Sequence, residues 1–137
     1  MSGSTLHATT AHRSFLAFDF GTQRVGVATG NTLTRSARPL RTIAATGAAR
    51  FDAVGQLIRE WQPDALVVGV PFHPDGAAHD NTERARRFAR QLHGRFGLVV
   101  HEVDERYTTT EARAAGAVDV DAASAAIILE QFLGTLT

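Results

Sequence analysis

Phe15-Leu16-Ala17-Phe18-Asp19-Phe20-Gly21-Thr22 sets one carboxylate inside an otherwise apolar run. In an extended strand alternate residues face opposite ways, so Leu16, Phe18 and Phe20 share one face and Ala17 and Asp19 the other. An ionised Asp buried without a partner is costly, so the strand either meets a cation or opens into a wet cleft at Asp19. Gly21 lets the backbone turn sharply. Taken alone, Asp19 also suits a simpler role, bracing the Gly21-Thr22-Gln23-Arg24 turn by accepting backbone hydrogen bonds. Val25-Gly26-Val27-Ala28-Thr29 reads as a second strand, joined through that turn as an antiparallel hairpin.

Outward from the hairpin, Pro39-Leu40-Arg41-Thr42-Ile43 reads as a third strand at the sheet edge, where Pro39 is tolerable. Phe51, Val54, Leu57, Ile58 and Trp61 recur at helical spacing and predict an amphipathic helix over 48–61, ended by Pro63. Trp61 reads as an aromatic at the edge of the core. Ala65-Leu66-Val67-Val68-Gly69-Val70 is a continuous apolar run of strand length, suited to a central parallel strand covered on both faces. A loop with the turn signal Pro74-Asp75-Gly76 follows. Asp80 with Glu83 fits an N-cap and its reciprocal carboxylate. Ala85, Phe88, Ala89, Leu92 and Phe96 form the buried stripe of the next helix. Its other face carries Arg84, Arg86, Arg87 and Arg90, either a solvated surface or a phosphate track. Residues 98–103 form another strand, in which Glu105 continues the face of Val99, His101 and Val103 while Asp104 points the other way. A short helix over 109–115 and a final Ala-rich helix opened by Asp119-Val120-Asp121 complete the pattern. Asp119 and Asp121 each suit a helix cap or a charge on the helix dipole.

The architecture expected is therefore α/β, a mixed sheet of antiparallel hairpin strands followed by βαβ units, with helices on both faces. Residues 1–14 are Ser/Thr/His-rich and aperiodic, which predicts a disordered tail ahead of a single domain over 15–137. The 137 residues, 44% hydrophobic, suffice for one core. There is no bilayer-length apolar run and no secretory start, which predicts a cytoplasmic protein without a membrane partner. Zero cysteines exclude disulfides and thiolate metal sites. The net charge of zero argues against a nonspecific nucleic-acid coat. Yet residues 1–62 carry seven arginines against Asp19, Asp52 and Glu60, whereas 107–137 carry Arg113 against Glu111, Asp119, Asp121 and Glu130. Such coexisting basic and acidic regions suit a metal-dependent enzyme on an anionic polymer. All fourteen cationic side chains are Arg, the residue of bidentate phosphate contacts, although genome composition produces the same bias.

Three carboxylates sit at element ends: Asp19, Glu105 and Asp121. If the fold brings them to one cleft, a divalent cation must offset their repulsion, and oxygen ligands without Cys favour Mg²⁺ or Mn²⁺. Two such ions about 4 Å apart would activate a water and stabilise the leaving oxygen of a phosphodiester. His73, His79 and His101 lack the paired spacing of a zinc motif. No Gly-x-Ser-x-Gly elbow supports a nucleophilic serine.

The combination of Phe18-Asp19-Phe20-Gly21-Thr22, Val68-Gly69-Val70-Pro71 with Asp75-Gly76, Asp104-Glu105-Arg106-Tyr107-Thr108-Thr109 with Glu111-Ala112, and Val120-Asp121 with Ala123 and Ile128-Leu129 resembles the YqgF family. Its members are described, provisionally, as pre-16S rRNA nucleases and formerly as Holliday junction resolvases. The resemblance runs in order through residues 15–133. It implies an RNase H-like fold and a Mg²⁺- or Mn²⁺-dependent nuclease that trims the 5′ end of 16S ribosomal RNA. By position the family's acidic triad falls on Asp19, Glu105 and Asp121, as catalytic residues and metal ligands. Thr22, Arg24, Arg106 and Thr108 are the candidate substrate contacts. Two departures bear on substrate choice: Gln23 stands where the family usually has Lys, and the segment between Glu111 and Asp121 is shorter than in many relatives.

The partner implied is RNA, precursor 16S rRNA or a pre-ribosome, handled by a monomer or homodimer. A Holliday junction resolvase on branched DNA would use similar chemistry but needs two active sites, hence a dimer. A noncatalytic RNA-binding module for ribosome assembly would bind without cutting. Asp19-Phe20-Gly21-Thr22 also resembles the first phosphate motif of actin-like ATPases, which need two related domains. Tyr107 and Phe72 are candidate base-stacking residues or ordinary packing.

Overall fold

In a computed structural model, which describes residues 12–73, 75–105 and 116–136, the opening apolar run becomes the central strand of a five-stranded sheet. This strand, β1 (Ser14–Phe20), pairs antiparallel with β2 (Val25–Asn31) and parallel with β4 (Ala65–Pro71). With β3 (Ala37–Ile43) and β5 (Val100–Glu105) the order is β3-β2-β1-β4-β5. The helices are α1 (Gly47–Trp61), α2 (Thr82–Phe96) and α3 (Val120–Thr135). The mixed sheet, its hairpin and its βαβ units match the architecture expected from the sequence. Pro39 lies on β3, at one edge of the sheet, near a register shift between Val27 and Ala28.

Side-chain alternation along β1 sorts the core into two layers. Leu16 and Phe18 face α1 and α2, where Val54, Leu57, Phe88 and Leu92 are buried with them. Phe88 is the hub of this layer: its ring centroid lies 6.0 Å from Phe18, 5.3 Å from Phe20 and 5.9 Å from Phe51. Phe15 and Ala17 face α3 and meet Ile128, Leu129, Phe132 and Leu133. Here Ala125 and Ala126 pack on Ala28 of β2, and short side chains on both surfaces bring helix and sheet close.

Several boundaries differ from the sequence expectation for identifiable reasons. Strand β1 begins at Ser14, inside the stretch expected to be tail, because the Ser14 N–H donates to Asp64 Oδ2 at 2.7 Å and the Arg13 N–H to Thr32 Oγ1 at 3.0 Å. Strand β5 extends through Glu105 by pairing with Pro71, so Asp104 and Glu105 belong to the strand rather than to a following loop. Asp80 does not cap α2: the N-cap is Asn81, without a side-chain cap, and Glu83 reaches Arg90 at 2.6 Å instead of folding back. The buried Thr82 hydroxyl ties that helix start down, accepting from the His79 N–H and donating to the Pro71 carbonyl. Trp61 sits half-buried at the core edge under the Arg38 guanidinium, as its position suggested. The helix expected over 109–115 lies outside the described residues.

Candidate active site

The carboxyl-terminal end of β1 presents Asp19 on the α3 face, and its two cross-strand partners are both glycines, Gly26 on β2 and Gly69 on β4. A side chain at Gly26 would strike backbone, and one at Gly69 the ends of packed side chains. A Cβ at Gly26 would stand 1.9 Å from the Asp121 carbonyl oxygen and 2.8 Å from the Ala122 nitrogen. One at Gly69 would stand 2.6 Å from Ile128 Cδ1 and 3.2 Å from Glu105 Cγ. Glycine inside a strand commonly marks such a close approach. The start of α3 thus rests directly on β2, and the Glu105 side chain lies across β4. Asp121 and Glu105 thereby flank Asp19 from its two sides, but the three carboxylates do not lie close enough as they stand to hold one metal ion.

Secondary contacts hold the flanking groups. Asp119 is the N-cap of α3; its Oδ1 accepts from the Ala122 N–H at 3.0 Å and from the Thr42 hydroxyl at 2.5 Å. Thr42 is the β3 partner of Gly26, so one carboxylate fastens the helix start to the strand it rests on. Of the two acids that each suited a cap, Asp119 caps, while Asp121 in the first turn points to the Arg24 guanidinium, with Nε–Oδ2 3.0 Å. The Arg24 and Asp121 side chains are 63% and 35% exposed, so the pair is open to exchange with other ions and adds little stability. One oxygen of Glu105, Oε1, is buried.

Arg50, in the first turn of α1, is a residue the sequence reading passed over. It is only 6% exposed. Its Nε donates to the Ala45 carbonyl at 2.8 Å, its Nη2 to the Thr22 carbonyl at 3.1 Å, and its guanidinium lies 5.5 Å from the Phe20 ring centroid. It therefore pins the Gly21–Arg24 turn that follows Asp19. Burial lowers its pKa from the ordinary arginine value, yet arginine remains charged at neutral pH. A signal was available, since Arg50 lies on the helical stripe of Val54, Leu57 and Trp61, where a charge is out of place among apolar positions.

Thr22 and Gln23 are exposed in the turn. Arg106 and Thr108, with Tyr107 and Glu111, lie outside the described residues. Phe72 is covered by Arg86, 5.1 Å from its centroid. His101 packs between Phe15 and Phe132, as a structural residue should. The His73 and His79 rings lie 5.1 Å apart. Among the described residues no group of three or more His, Asp or Glu is close enough to hold a metal ion as they stand. The donors around Asp19 are nevertheless of the right kind, carboxylate oxygens that suit hard cations, and Arg24 occupies Asp121 as counter-charge.

Residues 13–135 match the family described as "RuvX: Holliday junction resolvase". The chain belongs to the RuvX family. A relative from Polaromonas sp. is 70% identical over 130 residues, covering 95% of this chain and 94% of the relative, and bears the provisional name pre-16S rRNA nuclease. One from Albidiferax ferrireducens, with the same name, is 64% identical over 131 residues, covering 96% and 84%. The RuvX fold also matches solved resolvases. Thermus thermophilus RuvC, in complex with Holliday junction substrate, aligns over 88% of this chain and 93% of its own with a TM-score of 0.53 at 15% identity. The fowlpox virus Holliday junction resolvase aligns over 90% and 99% with a TM-score of 0.55 at 11% identity. The RuvX membership and the RNase H-like fold expected from the motifs are both borne out.

Proposed function

We propose that this RuvX chain is a divalent-metal endonuclease that hydrolyses phosphodiester bonds of RNA, with the 5′ region of precursor 16S rRNA as substrate. The observation that carries the reading is the glycine pair flanking Asp19, which leaves room for Glu105 and Asp121 to approach it from opposite sides. The relatives' provisional name supports the choice of RNA. Asp19, Glu105 and Asp121 would hold Mg²⁺ or Mn²⁺, which supplies a nucleophilic water at neutral pH and charge stabilisation of the leaving oxygen.

The chain's own groups have separable tasks. Asp19, on the central strand, is the fixed member of the triad, because strands on both sides leave its backbone no freedom. Asp121 is held by Arg24 until a cation takes its place. Arg24, then released at the mouth of the site, would turn to a substrate phosphate, for which its planar fork is suited. Arg50 keeps the turn carrying Arg24 in position through the Thr22 carbonyl.

The deciding experiment is cleavage of a precursor 16S rRNA leader with Mg²⁺ or Mn²⁺. Asp19→Asn, Glu105→Gln and Asp121→Asn should each lower the rate by about a hundredfold or more while keeping the Tm within a few degrees, as expected when charge stabilisation of a transition state is lost. Cleavage at the wild-type rate by all three variants would remove the reading. A DNA resolvase is the second reading, favoured by the family description and the fold of the structural relatives. It requires a dimer and preference for a four-way junction, so solution mass and a side-by-side substrate comparison separate the two. Tight RNA binding with no cleavage would indicate an assembly module instead.

A further inference from the structure

The arginine-rich face of α2 divides in two once its contacts are known. Arg86 is engaged by Glu102 at 3.6 Å and by the Phe72 ring, and Arg90 by Glu83 at 2.6 Å. Arg84 and Arg87 instead line a groove of about 250 Å³ between the first turns of α1 and α2, together with Phe20, Arg50, Phe51 and Gln91. No carboxylate belongs to the described lining. The neighbouring acid, Glu83, is hydrogen-bonded to Arg90, and Arg87 attracts it only as the least of the charges acting on it. Arg50 is more than nine-tenths buried at the groove, and the partners described for it are two carbonyl oxygens and an aromatic ring, all neutral. The first turn of α1 contains no acid, and Thr46 makes no side-chain cap. A buried cation, two exposed cations and an uncapped helix start therefore share one concavity whose described lining holds no carboxylate, and the shortage is of anionic charge.

The groove's floor connects it to the acids. Phe20 directly follows Asp19 at the same strand end, on the opposite sheet face, and Arg50 bonds the Thr22 carbonyl of the turn that follows them. A polyanionic strand crossing this end of the sheet could meet the carboxylates on one side and the arginines on the other. We propose that the groove binds a backbone phosphate of the nucleic-acid strand, outside the scissile linkage, with Arg84 and Arg87 contacting the phosphate oxygens and Arg50 supplying fixed charge beneath. The place of this phosphate beside a cut rests on the nuclease reading; the binding does not require cleavage. Phosphodiester chemistry is common to RNA and DNA, so both are probes.

The test measures binding of fluorescein-labelled single-stranded RNA, and of DNA of the same sequence, by anisotropy in EDTA across a salt series. Arg84→Ala/Arg87→Ala should weaken binding about tenfold, and the slope of log K against log salt should fall in magnitude by about 0.7, the share of the one phosphate that is no longer neutralised. Arg38→Ala/Arg59→Ala, which removes equal charge away from the groove, should change affinity less than about twofold. Arg84→Lys/Arg87→Lys should restore most of the affinity, which a folding defect would not do. Equal weakening in the groove and control variants, or none in either, would overturn the proposal. An RNA preference that disappears with the groove arginines adds recognition of the 2′-hydroxyl; equal weakening on both probes assigns the groove to phosphate alone. If wild type binds through the groove but does not cut, the nuclease reading fails and this one stands. If it cuts and the groove variant binds normally, the reverse holds.

Discussion

The two faces of the sheet are built to different thicknesses. Toward α1 and α2 the strands present Leu16, Phe18, Val27 and Val68, and phenylalanine rings fill the gap. Toward α3 they present Phe15 and Val67 at the far end but Ala17, Gly26, Ala28, Gly30 and Gly69 elsewhere, so that the start of α3 rests on the backbone of β2. A thick layer gains its stability from apolar volume. A thin layer gives up volume and gains precision, because two backbones in contact have nowhere to move. The acids stand at the open end of the thin layer and the basic groove at the open end of the thick one. The same sheet thus holds a rigid acidic edge and, across it, a cationic pocket among aromatic rings.

Four substitutions test this contrast, from the largest effect to the smallest. Gly26→Ala puts a methyl group into the Asp121 carbonyl, which cannot retreat without lifting α3 from the sheet. A loss of more than ~4 kcal/mol or failure to fold is expected by urea titration, far beyond an ordinary surface change. A variant of near wild-type stability would show that the close approach is not required. Phe88→Ala removes the hub of the thick layer and should cost ~3–5 kcal/mol. Its Mg²⁺-dependent cleavage, measured below the lowered Tm, should remain within severalfold of wild type, since the rings it touches lie across the sheet from Glu105 and Asp121. Gly69→Ala meets the ends of Ile128 and Glu105 rather than backbone, so stability should fall by only ~1–3 kcal/mol, the usual range for overpacking. If Glu105 acts as proposed, activity should fall disproportionately, by about tenfold or more, because the added methyl group at Gly69 displaces its side chain. Equal relative losses of activity in Phe88→Ala and Gly69→Ala would dissolve the distinction between the layers.

The smallest effect concerns His101. Burial, with a lesser contribution from Arg13, lowers its pKa below the ordinary value, and its buried Nε2 has no hydrogen-bond partner among the described residues. The unfolded chain therefore takes up a proton more readily than the folded one. Stability contributed by the neutral ring is full above about pH 6.5 and is lost as pH falls from there through the lower folded-state value. In scanning calorimetry His101→Gln should show a shallower fall in Tm between about pH 6.5 and 5 than wild type. An unchanged slope would assign the acid sensitivity to other groups.

The sequence made the thick layer easier to read than the thin one. Large apolar residues at periods of two and 3.6 announce a core, and β1, β4 and the stripes of α1 and α2 follow from them directly. Asp19 and Glu105 were also legible, because alternation fixes which face a strand residue occupies. Gly26 and Gly69 bring no side chain to a pattern, and their meaning depends on α3, which is remote in sequence. Asp119 and Asp121 are two residues apart with equivalent capping chemistry; the motif order put Asp121 in the triad, and the positions of Thr42 and Arg24 in space show that Asp119 makes the cap while Asp121 meets a guanidinium. The Asp80 cap failed because Thr82 found a stronger attachment to Pro71, a contact across a loop that local capping rules do not include. Arg50 was hidden by its neighbours, since the apolar stripe explained the helix without it.

The contact between Arg24 and Asp121 joins positions 97 residues apart, and the seat of α3 on Gly26 spans a similar interval. Contacts so distant in sequence are the slowest to form, because a long loop must close before they return any free energy. The hairpin and the βαβ units can assemble from local pairings while the acids remain divided between an early strand and a late helix. The meeting of the acids is therefore an all-or-none product of complete folding: a partly folded chain would possess the α1 and α2 layer of its core and its arginines before Asp121 reached the end of β1.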